Sequence, residues 1–211
     1  MRYLNKIVFI NSAAIRYSEV QLDGNIHLIG TQGVGKSTIL RAILFFYNAD
    51  TQRLGIPVEK KSYQDYYFPY ADSSIIYEVA REDGWFTVLS YKTMNRICYR
   101  FIASPYRPDL FIDEEGAPYP SDRIRSVLDK NGIKYSGAIS TYEEYRNILY
   151  GNSDNKRDYS CYSLMESGSY QNIIRTIQNV LLNSRLEADY IKQTIITSLN
   201  EADSVIDLSR Y

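Results

Sequence analysis

A glycine-rich segment near the N-terminus carries the residues best suited to chemistry. Residues 30–37 read Gly-Thr-Gln-Gly-Val-Gly-Lys-Ser and fit the pattern G-x-x-x-x-G-K-S. Glycines let the backbone turn its N–H groups toward phosphate oxygens, because no side chain obstructs the approach. In a P-loop of this pattern the lysine, here Lys36, reaches the β- and γ-phosphates, and the hydroxyl of Ser37 binds Mg²⁺. The spacing therefore predicts a nucleotide site, whose candidate contacts are Gly30, Thr31, Gln32, Gly33, Val34, Gly35, Lys36, Ser37 and Thr38.

The elements around this glycine loop (residues 30–37) have the order that phosphate binding requires. The apolar run at 26–29 predicts a buried strand, and apolar residues at spacings of three and four predict a helix over 36–47. The N-terminus of that helix adds a partial positive charge at the phosphates. Strand, glycine loop and helix together favour nucleotide binding over a turn that matches the pattern by chance.

The rest of the chain predicts an α/β fold with an antiparallel sheet. Strands are expected at 3–11 and 15–22, and then at 74–81, 85–92 and 97–103, where short turns between successive strands indicate a meander. Residues 60–72 are expected to be irregular, with short strands at 110–113 and 161–165. Helices are predicted over 121–130, 141–150, 170–182 and 187–199. We therefore divide the chain into a sheet and glycine-loop part, residues 1–120, and a mainly helical part, residues 121–211.

The composition is that of an ordinary globular protein. The 211 residues are 45% hydrophobic and carry a formal net charge of −1, so contact with nucleic acid would need a local basic patch. Cys98 and Cys161 lie far apart in sequence, which favours a reducing compartment over a disulfide framework. No signal peptide and no apolar run of membrane-spanning length is evident, so a cytoplasmic protein is expected. We assign no collective role to the 21 tyrosines.

Two further segments, residues 110–116 and 155–158, resemble other nucleotide-binding motifs. Residues 110–114, Leu-Phe-Ile-Asp-Glu, resemble a Walker B strand, in which Asp113 would hold Mg²⁺ and Glu114 would polarise water. The apolar run is short and lies between prolines and a Gly-Ala-Pro turn, so a strand edge is the preferred interpretation. Residues 113–116 and 155–158 fit the guanine-site patterns D-x-x-G and N-K-x-D, but the second follows a polar loop rather than a buried strand. A small GTPase-like protein is therefore the alternative enzyme class.

The opening of the chain resembles the N-terminal half of an SMC-type ABC ATPase head. The resemblance lies in residues 4–11 (Leu-x-x-Ile-x-Phe-Ile-Asn), in the glycine loop, and in residues 37–43 (Ser-Thr-Ile-Leu-Arg-Ala-Ile). Residues 139–145, residues 162–170 and the helices predicted between 173 and 199 resemble one branch of these heads. That branch includes the chromosome-partition ATPase MukB and the condensin-like ATPases of plasmid defence, the Wadjet type. The resemblance covers nearly the whole chain.

The resemblance implies an ABC-type P-loop NTPase half-head that binds ATP and Mg²⁺ and dimerises with a complementary head. In such proteins a coiled coil separates the two half-heads, and the C-terminal half holds the signature motif and the Walker B strand. Neither motif is found here, so we expect half of a head, or a truncated piece of one, that turns over negligible ATP by itself. The implied partners are the C-terminal half-head, a second SMC head, kleisin-like and accessory subunits, and DNA, with no membrane.

The resemblance also assigns roles to single residues. The Walker A positions are matched by Gly30, Gly33, Gly35, Lys36, Ser37 and Thr38, with Ser37 as the metal-binding hydroxyl. Arg53 lies roughly where SMC heads place an arginine near nucleotide and DNA, and a solvated loop arginine is the alternative. Gln171 lies in the region expected to supply the Q-loop, and a plain glutamine at a helix N-terminus is the alternative.

A non-catalytic interaction module is the alternative from another functional class. In that interpretation the glycine loop helps the head to hold its shape, and the tyrosine-rich stretch Tyr63–Tyr70 docks a partner subunit. Contact with DNA stays open, because solvated surface charges explain the candidate residues equally well. Those candidates are Lys60, Lys61, Arg96, Arg100, Lys156 and Arg157.

Overall fold

A computed structural model describes residues 2–24, 26–54, 56, 59–94, 96–151 and 159–164. All of these residues belong to one unit within residues 1–171. The helices predicted over 170–182 and 187–199 lie outside the described residues. Within the part of the chain that is described, no helix combines the length and the apolar character that crossing a membrane requires.

A five-stranded antiparallel sheet forms the centre of the unit. Its strands are β1 (Tyr3–Ser12), β2 (Ile15–Gln21), β3 (Ser74–Arg81), β4 (Gly84–Thr93) and β5 (Arg96–Ile102). They lie in the order β2-β1-β3-β4-β5, and every neighbouring pair is antiparallel, so the predicted meander is confirmed. The chain leaves the sheet after β2 and returns at β3, and the glycine loop lies in this excursion.

Helices accompany the sheet, which makes the described part an α/β fold. They are α1 (Lys36–Asn48), α2 (Tyr63–Tyr67), α3 (Ser121–Lys130) and α4 (Tyr142–Leu149). Two of them begin at residues whose hydroxyls cap the helix. Ser62 Oγ accepts the backbone N–H of Asp65 at 3.1 Å, and Thr141 Oγ1 accepts that of Glu144 at 3.3 Å. In the sequence, Thr141 followed three positions later by Glu144 fits a capping box, the pattern that predicts the start of α4.

Both faces of the sheet are buried. On one face, Tyr77, Tyr99 and Phe101 contact aromatic residues of α1 and α4. On the other face, apolar residues of the strands form a core cluster with Ile124 and Leu128 of α3. Seven of the eight residues of β3 are buried because both faces of this strand are covered. In a strand with one face in solvent, buried and exposed residues would alternate.

Several local predictions were wrong. Residues 26–29 do not form a strand, and Ile29 is 89% exposed, because no described strand lies beside this run. Helix α2 lies within the stretch expected to be irregular. The segment expected as a strand at 110–113 has a 3-10 turn, Pro108–Leu110, and a single β-bridge between Ile112 and Pro118. A second 3-10 turn, Ser160–Tyr162, replaces the strand expected at 161–165. Short apolar runs suit turns and strands alike, so long-range contacts decide between them.

Candidate nucleotide site

Glycines give the loop at 30–37 its shape. Gly33 and Gly35 have φ angles of +89° and +97°, in the left-handed region that residues with a Cβ rarely adopt. Gly35 is the N-cap of α1, and its carbonyl accepts the N–H groups of Thr38 and Ile39 at 3.0 and 3.1 Å. The segment therefore folds as a glycine turn that leads into a helix N-terminus. Unpaired N–H groups and the helix dipole make such a terminus suitable for an anion.

Lys36 folds back over the glycine loop. Its ammonium donates to the backbone carbonyls of Gly30 at 2.6 Å and Thr31 at 2.7 Å. These acceptors carry no formal charge, whereas phosphate oxygens do. Bonds from an ammonium to carbonyls are already charge-assisted, and phosphate oxygens add the Coulomb attraction of an opposite charge. The ammonium is therefore placed to exchange loop carbonyls for the oxygens of a bound phosphate.

A cavity of about 680 Å³ opens beside the glycine loop and the first turns of α1. This volume falls within the range of about 300–1,000 Å³ that is usual for small-molecule sites. Four of its lining residues are basic, and none of the described lining residues is acidic, so the cavity favours an anionic ligand. The lining residues are Gln32, Gly33, Gly35, Lys36, Ser37, Thr38, Arg41, Ile56, Lys60, Lys61, Tyr66 and Tyr67.

Helix α2 forms one wall of this cavity. The hydroxyl of Tyr67 donates to the carbonyl of Thr38 at 2.8 Å, and the hydroxyl of Tyr66 lies 3.5 Å from Thr38 Oγ1. Burial raises the pKa of Tyr67 well above its ordinary value, so the phenol remains a neutral donor. These contacts join α2 to the first turn of α1, immediately after the Walker A residues.

Tyrosine hydroxyls also donate hydrogen bonds to backbone carbonyls in the second half of α1 and at its C-cap. Phe46 and Tyr47 lie in its last turn, where helix carbonyls lack partners within the helix. Tyrosines of α4 and its C-cap supply those partners. Burial raises the pKa of Tyr77 and Tyr145 well above the ordinary value, which keeps both hydroxyls protonated. The donor and acceptor pairs are Tyr77 with Ala42 at 3.1 Å, Tyr145 with Phe46 at 2.7 Å, Tyr150 with Tyr47 at 2.6 Å, and Tyr99 with Ala49 at 3.3 Å.

The structure brings most of the predicted Walker A residues to the cavity, whereas Asp113 and Glu114 lie apart from it. Gly30 and Thr31 hold the ammonium of Lys36, and a Cβ on Gly30 would lie 2.7 Å from Cγ2 of Val34. Arg41, Ile56, Lys60, Lys61, Tyr66 and Tyr67 complete the lining, and the sequence interpretation did not assign them to the nucleotide. A signal existed for Arg41, which lies four positions after Ser37 and so on the same helix face.

Asp113 closes a turn rather than entering the cavity. Its carboxylate accepts the backbone N–H groups of Glu115 at 3.0 Å and Ala117 at 2.7 Å. Neither Asp113 nor Glu114 lines the cavity. Among the residues described, no three His, Cys, Asp or Glu side chains group as metal ligands would. The side chain of Arg53, residues 155–158 and Gln171 lie outside the described part of the chain.

Some residues that were expected to contact DNA or a partner at the surface are buried. Arg100 is 4% exposed and lies between two rings, with its guanidinium carbon 5.8 Å from the ring centre of Tyr91 and 5.4 Å from that of Tyr135. It is therefore too buried to contact DNA. In the stretch Tyr63–Tyr70, three aromatic side chains belong to the core, so the stretch does not present a continuous docking surface. The buried members are Tyr63, Tyr67 and Phe68.

Comparison with known proteins gives a family match. A family model described as "Protein of unknown function (DUF3584)" matches residues 12–211. This family is associated with RecF-, RecN- and SMC-like proteins. No curated protein matches the chain.

Proposed function

The chain belongs to this family of unknown function (DUF3584), and we propose that it is an ATP-binding part of an SMC-like ATPase head. The proposed parent machine, of the MukB or Wadjet type, organises DNA or defends against foreign DNA in the cytoplasm. The observation on which the proposal rests most is the glycine loop, which opens into a basic cavity at the N-terminus of α1. A nucleoside triphosphate presents several negative charges, and this is the part of the described surface where helix dipole and lysines coincide.

The residues of the cavity suit ATP with Mg²⁺. The backbone around Gly33 and Gly35 would hold the phosphates, because neither residue places a side chain in their way. Lys36 would turn from the loop carbonyls to the β- and γ-phosphates, and the hydroxyl of Ser37 would bind the metal. Mg²⁺ keeps several waters and needs few protein ligands, so one hydroxyl is a sufficient anchor beside the phosphates. The metal, when bound, neutralises charge on the phosphate oxygens.

Exposure of the run at 26–29 supports an incomplete head. Ile26 is 41% exposed and Ile29 is 89% exposed, although apolar runs of this kind ordinarily lie inside a sheet. In the proposed head, strands of a C-terminal half cover this run and bring the signature motif and the general base. No acidic residue lines the described cavity, so the described residues offer no base for attack by water. A second head, kleisin-like and accessory subunits, and DNA are the remaining proposed partners.

Titration of the whole chain with ATP and Mg²⁺ tests the proposal. The parent chain should bind, and Lys36→Ala should weaken binding by roughly 10- to 100-fold, the equivalent of one charge-assisted hydrogen bond. Lys130→Ala is the matched control, because it removes an exposed lysine from the last turn of α3. Hydrolysis by the chain alone should be negligible.

Two results would contradict this account. Absence of ATP binding by the parent chain, or equal binding by Lys36→Ala, would remove the nucleotide site. Steady-state hydrolysis that depends on Lys36 would overturn the incomplete-head proposal and return Asp113 and Glu114 to consideration.

A further inference from the structure

The cavity extends beyond the residues that hold phosphates. Walker A residues account for about half of its lining, and the remainder comes from Arg41 of α1 and from the segment between α1 and β3. Lys60, Lys61 and Tyr66 belong to that second wall. A nucleotide whose phosphates occupy the glycine loop must place its nucleoside somewhere along this wall or in solvent.

Tyr66 is the exposed aromatic residue of that wall. Its side chain is 39% exposed, in contrast to its neighbour Tyr67, which is 1% exposed. Its hydroxyl lies 3.5 Å from Oγ1 of Thr38, the residue that directly follows the Walker A serine. The ring therefore lies beside the end of the glycine loop, in the lining of the same cavity, within reach of a ligand whose phosphates occupy the loop.

The position of Tyr66 is fixed by a column of rings that leads into the core. Tyr66 meets Tyr67 edge to face, with ring centres 5.1 Å apart and planes at 81°. Tyr67 stacks on Tyr63 at 4.1 Å, and Tyr63 stacks on Phe45 of α1 at 4.4 Å. Ser62 caps the same short helix. A ring held in this way loses little conformational freedom when a ligand binds, which favours affinity.

From these contacts we infer that Tyr66 is a nucleotide-positioning residue whose ring stacks on the base, an inference that rests on the proposed function. Every nucleobase has a π face, so an aromatic ring can bind it without base-specific hydrogen bonds. The phosphates then bind through the glycine loop and the base through α2, which places the two ends of the ligand on two elements joined by the bond from Tyr67 to Thr38.

A comparison of two ligands tests the inference. The whole chain is titrated with ATP and with inorganic tripolyphosphate, each in the presence of Mg²⁺. Tyr66→Ala should weaken ATP binding by roughly 10-fold, since a base–aromatic stack is worth about that factor or more. Binding of tripolyphosphate, which has no base, should change by less than about twofold. Tyr66→Phe keeps the ring and should restore ATP binding.

Control variants distinguish the loss of base stacking from a loss of the folded structure. Tyr66→Leu retains an apolar side chain against Tyr67 but has no π face, so it should behave as Tyr66→Ala does. Tyr70→Ala removes a tyrosine that is 62% exposed and does not line the cavity, and it should bind both ligands normally. Thermal unfolding of each variant shows whether the fold is retained.

The possible failures are distinguishable. If the parent chain binds neither ligand, the proposed function fails and the inference fails with it. If both ligands bind and Tyr66→Ala leaves ATP affinity unchanged, the inference alone fails. An equal loss of ATP and tripolyphosphate in Tyr66→Ala and Tyr66→Phe would overturn it as well, because the hydroxyl would then be acting on a phosphate.

Discussion

Gly35 lies where the glycine loop becomes α1, with a φ angle of +97°. A Cβ at this position would meet no atom within 4 Å, so an alanine would fit the space and strain only the backbone. We expect Gly35→Ala to lower the free energy of unfolding by about 1–2 kcal/mol, the cost of a left-handed residue with a Cβ. Relief of that strain would turn the first N–H groups of α1 away from the phosphates, so ATP should bind roughly tenfold more weakly. Urea unfolding and ATP titration measure the two effects.

Gly24 provides the matched control for this substitution. It has a φ angle of +80° and equally open surroundings, in the turn that follows β2. Gly24→Ala should lose a similar amount of stability, about 1–2 kcal/mol, while ATP affinity stays within about twofold of the parent. Equal losses of ATP affinity in the two variants would mean that general destabilisation, rather than loop geometry, governs binding.

At the scale of residues, the sequence predicted the part of the site that is local. Residues 30–37 are contiguous, so their spacing alone predicts how glycine, lysine and serine surround a phosphate. Lys60 and Tyr66 lie more than twenty positions later and reach the cavity because α2 packs on α1 through Tyr63 and Phe45. No local pattern encodes that packing, so their place in the cavity could not be predicted.

At the scale of elements, α1 depends on hydroxyl groups from outside the helix. Tyr145 donates to the carbonyl of Phe46 at 2.7 Å, and both residues are buried. Tyr145→Phe would leave this carbonyl of the last turn without a partner. We therefore expect the free energy of unfolding to fall by about 1–3 kcal/mol, the penalty for a buried unsatisfied acceptor. Urea unfolding measures the loss, and amide hydrogen exchange should show weaker protection across α1.

Tyr142 gives the control for this prediction within the same helix. It is 43% exposed, and its ring lies over the guanidinium of Arg146. Tyr142→Phe keeps the ring and should change the free energy of unfolding by less than about 0.5 kcal/mol, as is usual for surface substitutions. If Tyr145→Phe also changed the free energy of unfolding by less than about 0.5 kcal/mol, the hydrogen bond from its hydroxyl to α1 would have no role in stability.

The elements that were predicted correctly are those with local signals. Hairpin turns with glycine and alternating residues identified the five strands, and the pattern at Thr141 identified the start of α4. The prediction failed at 26–29, where an apolar run has no neighbouring strand among the described residues. It also missed α2, although Ser62 and Asp65 form a capping pair that could have indicated it.

At the scale of the whole molecule, the order of strands places the glycine loop. β1 pairs with β3 although α1 and α2 lie between them in sequence, so the glycine loop and the two helices beside the cavity are inserted into the sheet as one excursion. The meander of β3, β4 and β5 follows from short turns, whereas the pairing of β1 with β3 is a long-range contact that no turn specifies. The sequence could therefore predict the strands but not the complete order.

The composition assigned no role to the 21 tyrosines, but nine of them are buried in the core of the described part of the chain. Burial raises the pKa of Tyr63, Tyr67, Tyr77, Tyr99 and Tyr145. In the unfolded chain a tyrosine ionises near its ordinary pKa of about 10. Above that pH the unfolded state therefore binds fewer protons than the folded state, so the free energy of unfolding must fall as pH rises.

Each such tyrosine lowers the free energy of unfolding by about 1.4 kcal/mol per pH unit in this window, so these five lower it by about 7 kcal/mol per pH unit. Other tyrosines whose pKa burial raises, Tyr106 and Tyr162 among them, add to this slope. A domain stable by about 5–15 kcal/mol should therefore unfold cooperatively within roughly one or two pH units above pH 10. Circular dichroism in a urea series at increasing pH measures the slope, and phenolate absorbance should rise together with unfolding. Tyr145→Phe should reduce the slope by about 1.4 kcal/mol per pH unit, since one titrating group is removed. Complete phenolate formation near pH 10, by buried as well as exposed tyrosines, with the fold intact would contradict the burial of these hydroxyls.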